Sequence, residues 1–200
     1  MVDIIGLVIK NVLAALYQPF TFSVLLTVSF MFLYLYAKEH GWKAVYQKWI
    51  TEFKTCKDFR KVSLLCFYTV MILFKTLLNR NMWQNPVEDV IGVWGLYDKN
   101  GELTTQALEN LALFIPFTIL LLWSFRKQLL GEQVKLQCAL WQSVKIVFLF
   151  SVTIEFLQLF LRLGTFQLSD LFQNTLGGLI GGVLYWIAYK IEKHSRSEGV

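Results

Sequence analysis

The sequence predicts an all-α, polytopic bundle of transmembrane helices with about five spans. Hydrophobic residues make up 56% of the 200 residues and charged residues 16%, against about a quarter charged residues in soluble proteins. The net charge of +5 comes from basic residues that fall mainly in the loops between apolar segments. Basic loops of this kind set the orientation of a membrane protein, so the charge indicates no nucleic-acid partner.

Five apolar segments are long enough to cross a hydrocarbon core of about 30 Å, which takes about 17 to 25 residues. They are residues 20–37, 62–78, 106–125, 140–161 and 171–189. Residues 3–17 form a shorter and more polar segment than these five. We therefore expect an interfacial or re-entrant helix there rather than a sixth span.

The distribution of lysine and arginine predicts the orientation of the spans. Seven of these residues lie between positions 38 and 61, three between 126 and 138, and three after 189. The opposite loops carry only Arg80, Lys99 and Arg162. By the positive-inside rule the first group is cytoplasmic, which places the C-terminus in the cytoplasm and the N-terminus outside. Residues 38–61, where aromatic residues alternate with lysines, are expected to lie at the lipid head groups.

The segment between the second and third spans is predicted to contain a short helix. Asn85 is a candidate N-cap, Pro86 suits the first helical position, and Glu88 can complete a capping box. These residues predict a helix over 86–94 that lies flat on the outer leaflet.

Polar side chains interrupt the last two spans at helical spacing. Glu155, Gln158 and Arg162 stand at i, i+3 and i+7, and Asp170 and Asn174 stand at i and i+4. Each set therefore lies on one face of its helix. A charge near the bilayer centre costs roughly 2.5 to 3.5 kcal/mol, so ionisable residues there indicate a functional site with a partner.

The second and third spans also place polar residues at their outer ends, so four helices are expected to converge there. The candidate ligand-binding set is Arg80, Glu109, Asn110, Glu155, Gln158, Arg162, Asp170 and Asn174. Structural interpretations remain open beside ligand binding and proton transfer. Asp170 or Ser169 can cap the fifth helix, with Gln173 completing a capping box. Glu155 can form a buried pair with Arg162 or Arg80, or a protonated acid bonded to Gln158.

Four glycines in the last span form two overlapping GxxxG patterns, Gly177 with Gly181 and Gly178 with Gly182. Small residues at this spacing allow helix backbones to approach closely in a bilayer. The pattern predicts packing against another helix, most simply of the same chain, although it also permits a homo-oligomer.

No metal or cofactor is expected. Cys56, Cys66 and Cys138 are on the cytoplasmic side of this topology, where thiols stay reduced. Their spacing matches no metal motif, and His40 and His194 also lie on that side.

Three ordered blocks carry a resemblance to a known family. They are ENLALFIPF at 109–117, SVTIEFLQLF at 151–160 and DLFQNTLGGLIGG at 170–182. This set resembles the signature blocks of VanZ-like membrane proteins, except at Thr118, where a glycine often follows the PF pair. The resemblance implies a four-helix VanZ-like core over 62–189. Residues 1–61 then form an extension with the interfacial helix, the first span and the basic segment, and residues 190–200 form a cytoplasmic tail.

The resemblance implies a multi-pass cell-membrane protein of Gram-positive bacteria, linked to low-level resistance to teicoplanin, a glycopeptide with a fatty chain. It supplies no biochemical activity. One hypothesis is a non-catalytic protein that binds or shields an outer-leaflet ligand, such as a lipid-linked cell-wall precursor, a lipoglycopeptide or another membrane lipid. In this hypothesis Arg162 and Arg80 contact phosphate or carboxylate groups. The other is a membrane enzyme acting on a lipid-linked envelope substrate, with Glu155 or Asp170 as general base and Arg162 stabilising charge.

Overall fold

The computed structural model describes residues 20–78, 87, 89–95, 101 and 104–198. This part of the chain is entirely helical apart from its loops, and it contains no strand. The predicted helix at residues 3–17 and the candidate residue Arg80 lie outside it. The helices are α1 (Phe20–His40), α2 (Trp42–Thr55), α3 (Lys57–Leu73), α4 (Gln106–Ser124), α5 (Arg126–Leu130), α6 (Leu136–Leu161) and α7 (Leu168–Glu198).

Local backbone geometry separates the first helices from one another. Gly41 has a φ of 84°, a conformation that favours glycine, and divides α1 from α2. Cys56 is extended and divides α2 from α3. The last residues of α3 continue into a π-helical turn, Phe74–Leu78.

Helix α7 is central to the bundle because it packs against both α4 and α6 through its glycines. A Cβ atom at Gly177 would lie 2.5 Å from the carbonyl oxygen of Leu111, in α4. On the other side, a Cβ at Gly178 would lie 2.6 Å from a methyl group of Val147, in α6. The two GxxxG patterns therefore face two different helices of the same chain.

The register of these contacts gives the relative directions of the three helices. Gly177 and Gly181 meet Leu111 and Ile115 in order, so α7 runs parallel to α4. Gly178 and Gly182 meet Val147 and Ser143, in the reverse order, so α6 runs antiparallel to both. Helices α4 and α7 consequently begin at the same end of the bundle, and α6 finishes there.

Two helices of the described part, α4 and α6, are long and apolar enough to cross a membrane. Helix α6 begins four residues before the predicted span. Helix α7 extends nine residues past its predicted end, and this extension includes the exposed residues Lys190, Glu192 and Lys193. The all-helical class is thus established, and the two apolar helices indicate a membrane protein.

The predicted surface helix at 86–94 is wrong for the described residues 87 and 89–95, which form a bent loop. The backbone amides of Leu168 and Ser169 donate to the carbonyl oxygens of Val90 (2.8 Å) and Ile91 (3.2 Å). Gly92, with a φ of 72°, turns the chain between these contacts and the next residues. The carbonyl groups of Val90 and Ile91 therefore accept hydrogen bonds from the start of α7, and not from amides of the predicted surface helix.

Candidate functional site

Buried polar side chains collect where α4 and α7 begin and α6 ends. Ser151, Glu155 and Gln158 lie on one face of α6, and each is at most 2% exposed. Asp170 and Asn174 lie on α7 and are 4% and 5% exposed. Buried polar groups of this kind require hydrogen-bond partners, so their contacts define the site.

The two carboxylates belong to one hydrogen-bonded network. The backbone amide of Gln167 donates to Oε2 of Glu155 at 2.9 Å. The side-chain oxygen Oε1 of Gln167 accepts a hydrogen bond from Nε2 of Gln106 at 2.8 Å. The same nitrogen of Gln106 donates to Oδ1 of Asp170 at 2.9 Å. Two residues therefore connect Glu155 on α6 to Asp170 on α7.

Further amide side chains join α7 to its neighbours. Asn174 Nδ2 donates to Ser151 Oγ at 2.8 Å. Asn110 Nδ2 donates to Gln173 Oε1 at 3.2 Å, and Gln173 Nε2 donates to the carbonyl oxygen of Val93 at 2.8 Å. These contacts connect α4, α6, α7 and the loop 89–95 at a single end of the bundle.

Gln158 connects α6 to the π-helical turn that follows α3. Its Nε2 donates to the carbonyl oxygen of Thr76, in the π-helical turn, at 2.8 Å. Each of these predicted residues forms a hydrogen bond with a residue outside its own helix. The structure thus brings together five of the sequence-predicted residues: Asn110, Glu155, Gln158, Asp170 and Asn174.

Two side-chain oxygens of the network lack a hydrogen-bond donor among the described residues. The side-chain amide nitrogens of five network residues each donate to a described acceptor: Gln106, Asn110, Gln158, Gln173 and Asn174. Gln158 Oε1 and Asn174 Oδ1 are buried and receive no hydrogen bond from the described residues. Amide oxygens only accept hydrogen bonds, so these two oxygens can bind a ligand group that donates one. The hydroxyl oxygen of Ser169 is also buried without a described partner, and a hydroxyl can both donate and accept.

The expectation that Arg162 continues the polar face of α6 is wrong. Helix α6 ends at Leu161, and Arg162 takes a left-handed conformation with a φ of 53°. Its side chain is exposed, and neither ion pair of the described residues includes it. The left-handed C-cap turns the chain away from the helical repeat on which the prediction relied.

Glu109 lies on the exposed rim of the site rather than inside it. It forms an ion pair with Lys75, and its Oε1 accepts a hydrogen bond from Thr105 at 2.7 Å. Lys75 was not among the predicted site residues. This ion pair joins α4 to the π-helical turn after α3, beside the buried network.

The start of α7 also differs from the capping interpretation. The helix begins at Leu168, so Asp170 stands in its first turn and not at its N-cap. Carbonyl groups of the loop 89–95 satisfy the amides of Leu168 and Ser169. Gln173 donates to this loop instead of closing a capping box. An acidic side chain in the first turn is nevertheless favourable to the helix dipole.

Four members of the network were missed by sequence reasoning: Gln106, Ser151, Gln167 and Gln173. Ser151 had a detectable signal, because it stands one helical turn before Glu155. Gln167 had none, since its backbone amide makes the bond to Glu155. Gln106 was assigned only as the first residue of a span.

Gly92 provides a test of how the loop 89–95 holds the site. Its φ is 72°, and a Cβ there would collide with Ser169 Oγ and lie 3.1 Å from Gln167 Cβ. Gly92→Ala is expected to detach the loop from α7 at a cost of about 1 to 3 kcal/mol. Faster amide hydrogen exchange at Leu168 and Ser169 would show that the loop has detached.

Gly95→Ala is the matched control, because nothing lies within 4 Å of a Cβ at that position. Equal exchange at Leu168 and Ser169 in the two variants would contradict a role for close packing at Gly92.

Comparisons with known proteins show which family the sequence resembles. A family model described as VanZ/LLP1 matches residues 20–189. The Protein VanZ of Enterococcus faecium is 23% identical over 135 residues, which cover 64% of this chain and 74% of that protein. No solved structure matches the chain.

Proposed function

Since the chain belongs to the VanZ/LLP1 family, we propose that it is a non-catalytic, multi-pass cell-membrane protein that binds or shields an outer-leaflet ligand. The binding lowers susceptibility to teicoplanin. Helices α4 and α6 support membrane insertion, and the basic segments support a topology of five spans with a cytoplasmic C-terminus. In that topology the buried network lies in the outer half of the membrane.

The observation that carries the proposal is the buried network that links Glu155 to Asp170. A protein interior that serves packing alone has little reason to enclose two carboxylates, because each buried charge carries a large desolvation cost. The helices around them are apolar. A binding role explains why the costly groups are held together at one place.

The two unsatisfied amide oxygens indicate the chemical groups that the ligand presents. Hydroxyl and ammonium groups can donate to Gln158 Oε1 and Asn174 Oδ1. Because Arg162 is exposed and lies beyond the end of α6, a ligand held by sugar hydroxyls or amines replaces the expected phosphate held by Arg162. Lipid-linked cell-wall precursors and lipoglycopeptides both fit this class.

The loop 89–95 controls access to the network. The network residues on α6 and α7 are buried, and the loop covers the first turn of α7. Trp94 anchors the loop by packing against Phe172, with ring centroids 5.3 Å apart. A ligand reaches Asp170 and Glu155 once this loop moves from α7. Opening breaks the two backbone hydrogen bonds to α7, the bond from Gln173 to Val93 and the contact of Trp94 with Phe172.

A second candidate function is a membrane enzyme acting on a lipid-linked envelope substrate, with Glu155 or Asp170 as general base. The observation that favours it is the presence of both carboxylates in one network. An enzyme would change the lipid composition of the membrane, whereas a binding protein would not.

Cells that carry the wild-type protein, no protein, or Glu155→Gln distinguish these functions. We expect loss of the protein to raise teicoplanin susceptibility, and Glu155→Gln to raise it as much, because the neutral amide binds a donor ligand more weakly. The lipid profile, measured by mass spectrometry, is expected to stay unchanged. Glu132→Gln is the matched control, since Glu132 is an exposed acid in the turn before α6.

Unchanged susceptibility without the protein, together with no binding of teicoplanin or lipid-linked precursor to purified protein, would reject the binding function. A lipid species that accumulates both without the protein and in Glu155→Gln would favour the enzyme.

A further inference from the structure

Helix α2 carries a continuous aromatic face that remains about half exposed. Trp42, Tyr46, Trp49 and Phe53 stand at i, i+4, i+7 and i+11, which places them on one side of the helix. Their exposed fractions are 50%, 67%, 50% and 42%. No residue of α2 is buried, so this helix contributes little to the core.

The aromatic face continues onto the neighbouring helices. Trp49 stacks on Phe53, with centroids 5.4 Å apart, and meets the edge of Phe59, in α3, at 6.4 Å. Tyr34, in α1, lies 6.5 Å from Trp42. An exposed apolar patch of this kind marks a site of association with a membrane or a protein. Tryptophan and tyrosine are enriched where lipid meets water.

Basic residues outnumber acidic ones in the segment that carries this aromatic face. Residues 38–61 contain seven lysines and arginines against three acids. One of those acids, Asp58, is paired with Lys61 at 2.7 Å. By helical periodicity, Lys43 and Lys54 lie along one edge of the aromatic face, whereas Glu52 lies along the other edge and Lys48 beyond it. Long lysine side chains can extend their ammonium groups from an apolar surface into the head-group layer.

We propose that α2 is a binding surface for anionic phospholipid head groups. Its aromatic side chains enter the interfacial layer of the leaflet, and its lysines contact the phosphates of acidic lipids. The charge argues against a second copy as the occupant. Two copies that paired through this face would bring the same flanking lysines together, whereas an anionic membrane complements them.

This surface is separate from the buried network. Helix α2 contacts α1 and α3, whereas the network lies on α4, α6, α7 and the π-helical turn. The proposal therefore goes beyond the proposed function and does not depend on the ligand of that site.

The test uses the full chain in lipid nanodiscs, one protein per disc, made of phosphatidylcholine alone or with 30% phosphatidylglycerol. This composition is on the order of that of an anionic leaflet. Amide hydrogen exchange over residues 42–55 is followed by mass spectrometry. We expect exchange about fivefold slower in the anionic discs for each lysine engaged, and this difference should disappear in high salt. Both leaflets have the same lipids, so the result does not depend on topology.

Lys43→Glu with Lys54→Glu is expected to abolish the difference between the two kinds of disc. Lys135→Glu with Lys193→Glu makes the same change of charge at exposed positions outside α2 and should preserve it. Unchanged exchange over α6 and α7 shows that the variants are folded. Equal exchange of wild-type α2 in both discs would overturn the proposal. Slower exchange only with two proteins per disc would also overturn it, in favour of self-association.

Discussion

Replacing Gly177 with alanine is expected to destabilise the protein by about 1 to 3 kcal/mol, the usual cost of forcing an extra group into a filled core. The new methyl group would lie 2.5 Å from the carbonyl oxygen of Leu111. Because that oxygen belongs to the backbone of α4, the two helices have to separate. Unfolding of the purified protein in mixed detergent micelles, followed by circular dichroism, measures the loss.

Gly178→Ala gives a partner experiment on the other face of α7. Its methyl group would meet the side chain of Val147 and not a backbone atom. Val147→Ala should therefore relieve the clash, so the double variant is more stable than the sum of the single changes predicts. Gly95→Ala, with open space around it, controls for the change in backbone entropy. Additive costs at Gly178 and Val147 would show that this packing interface does not exist.

Glu155→Leu is expected to cost about 1 to 3 kcal/mol, because the buried backbone amide of Gln167 loses its acceptor. Glu155→Gln keeps an oxygen in the same place and should retain most of the stability. The difference between these two variants isolates the hydrogen bond from the charge. The same detergent unfolding assay measures both.

The comparison also separates folding from function. Glu155→Gln is expected to fold and yet to lose its effect on teicoplanin susceptibility, whereas Glu155→Leu loses both. If Glu155→Gln were as unstable as Glu155→Leu, the carboxylate charge itself would be holding the fold. In that case the loss of function in cells would follow from unfolding.

The sequence predicted the apolar helices and the polar faces of α6 and α7 because helical periodicity is a local property. Hydrogen bonds inside a helix join residues four apart, so the spacing of Glu155 and Gln158, or of Asp170 and Asn174, already places each pair on one face. The helix ends were less predictable. A left-handed residue at Arg162 and an early start at Leu168 depend on contacts outside the helices themselves.

Local spacing thus determined the helical class and which faces carry polar groups and glycines. The tertiary structure alone decided which partners those groups meet. The bonds that build the site join residues far apart in sequence: Gln106 with Asp170, Gln173 with Val93, and Gln158 with Thr76, separated by 64, 80 and 82 positions. Such partners are selected by the packing of whole helices, since a buried donor or acceptor has to be satisfied by whatever lies beside it.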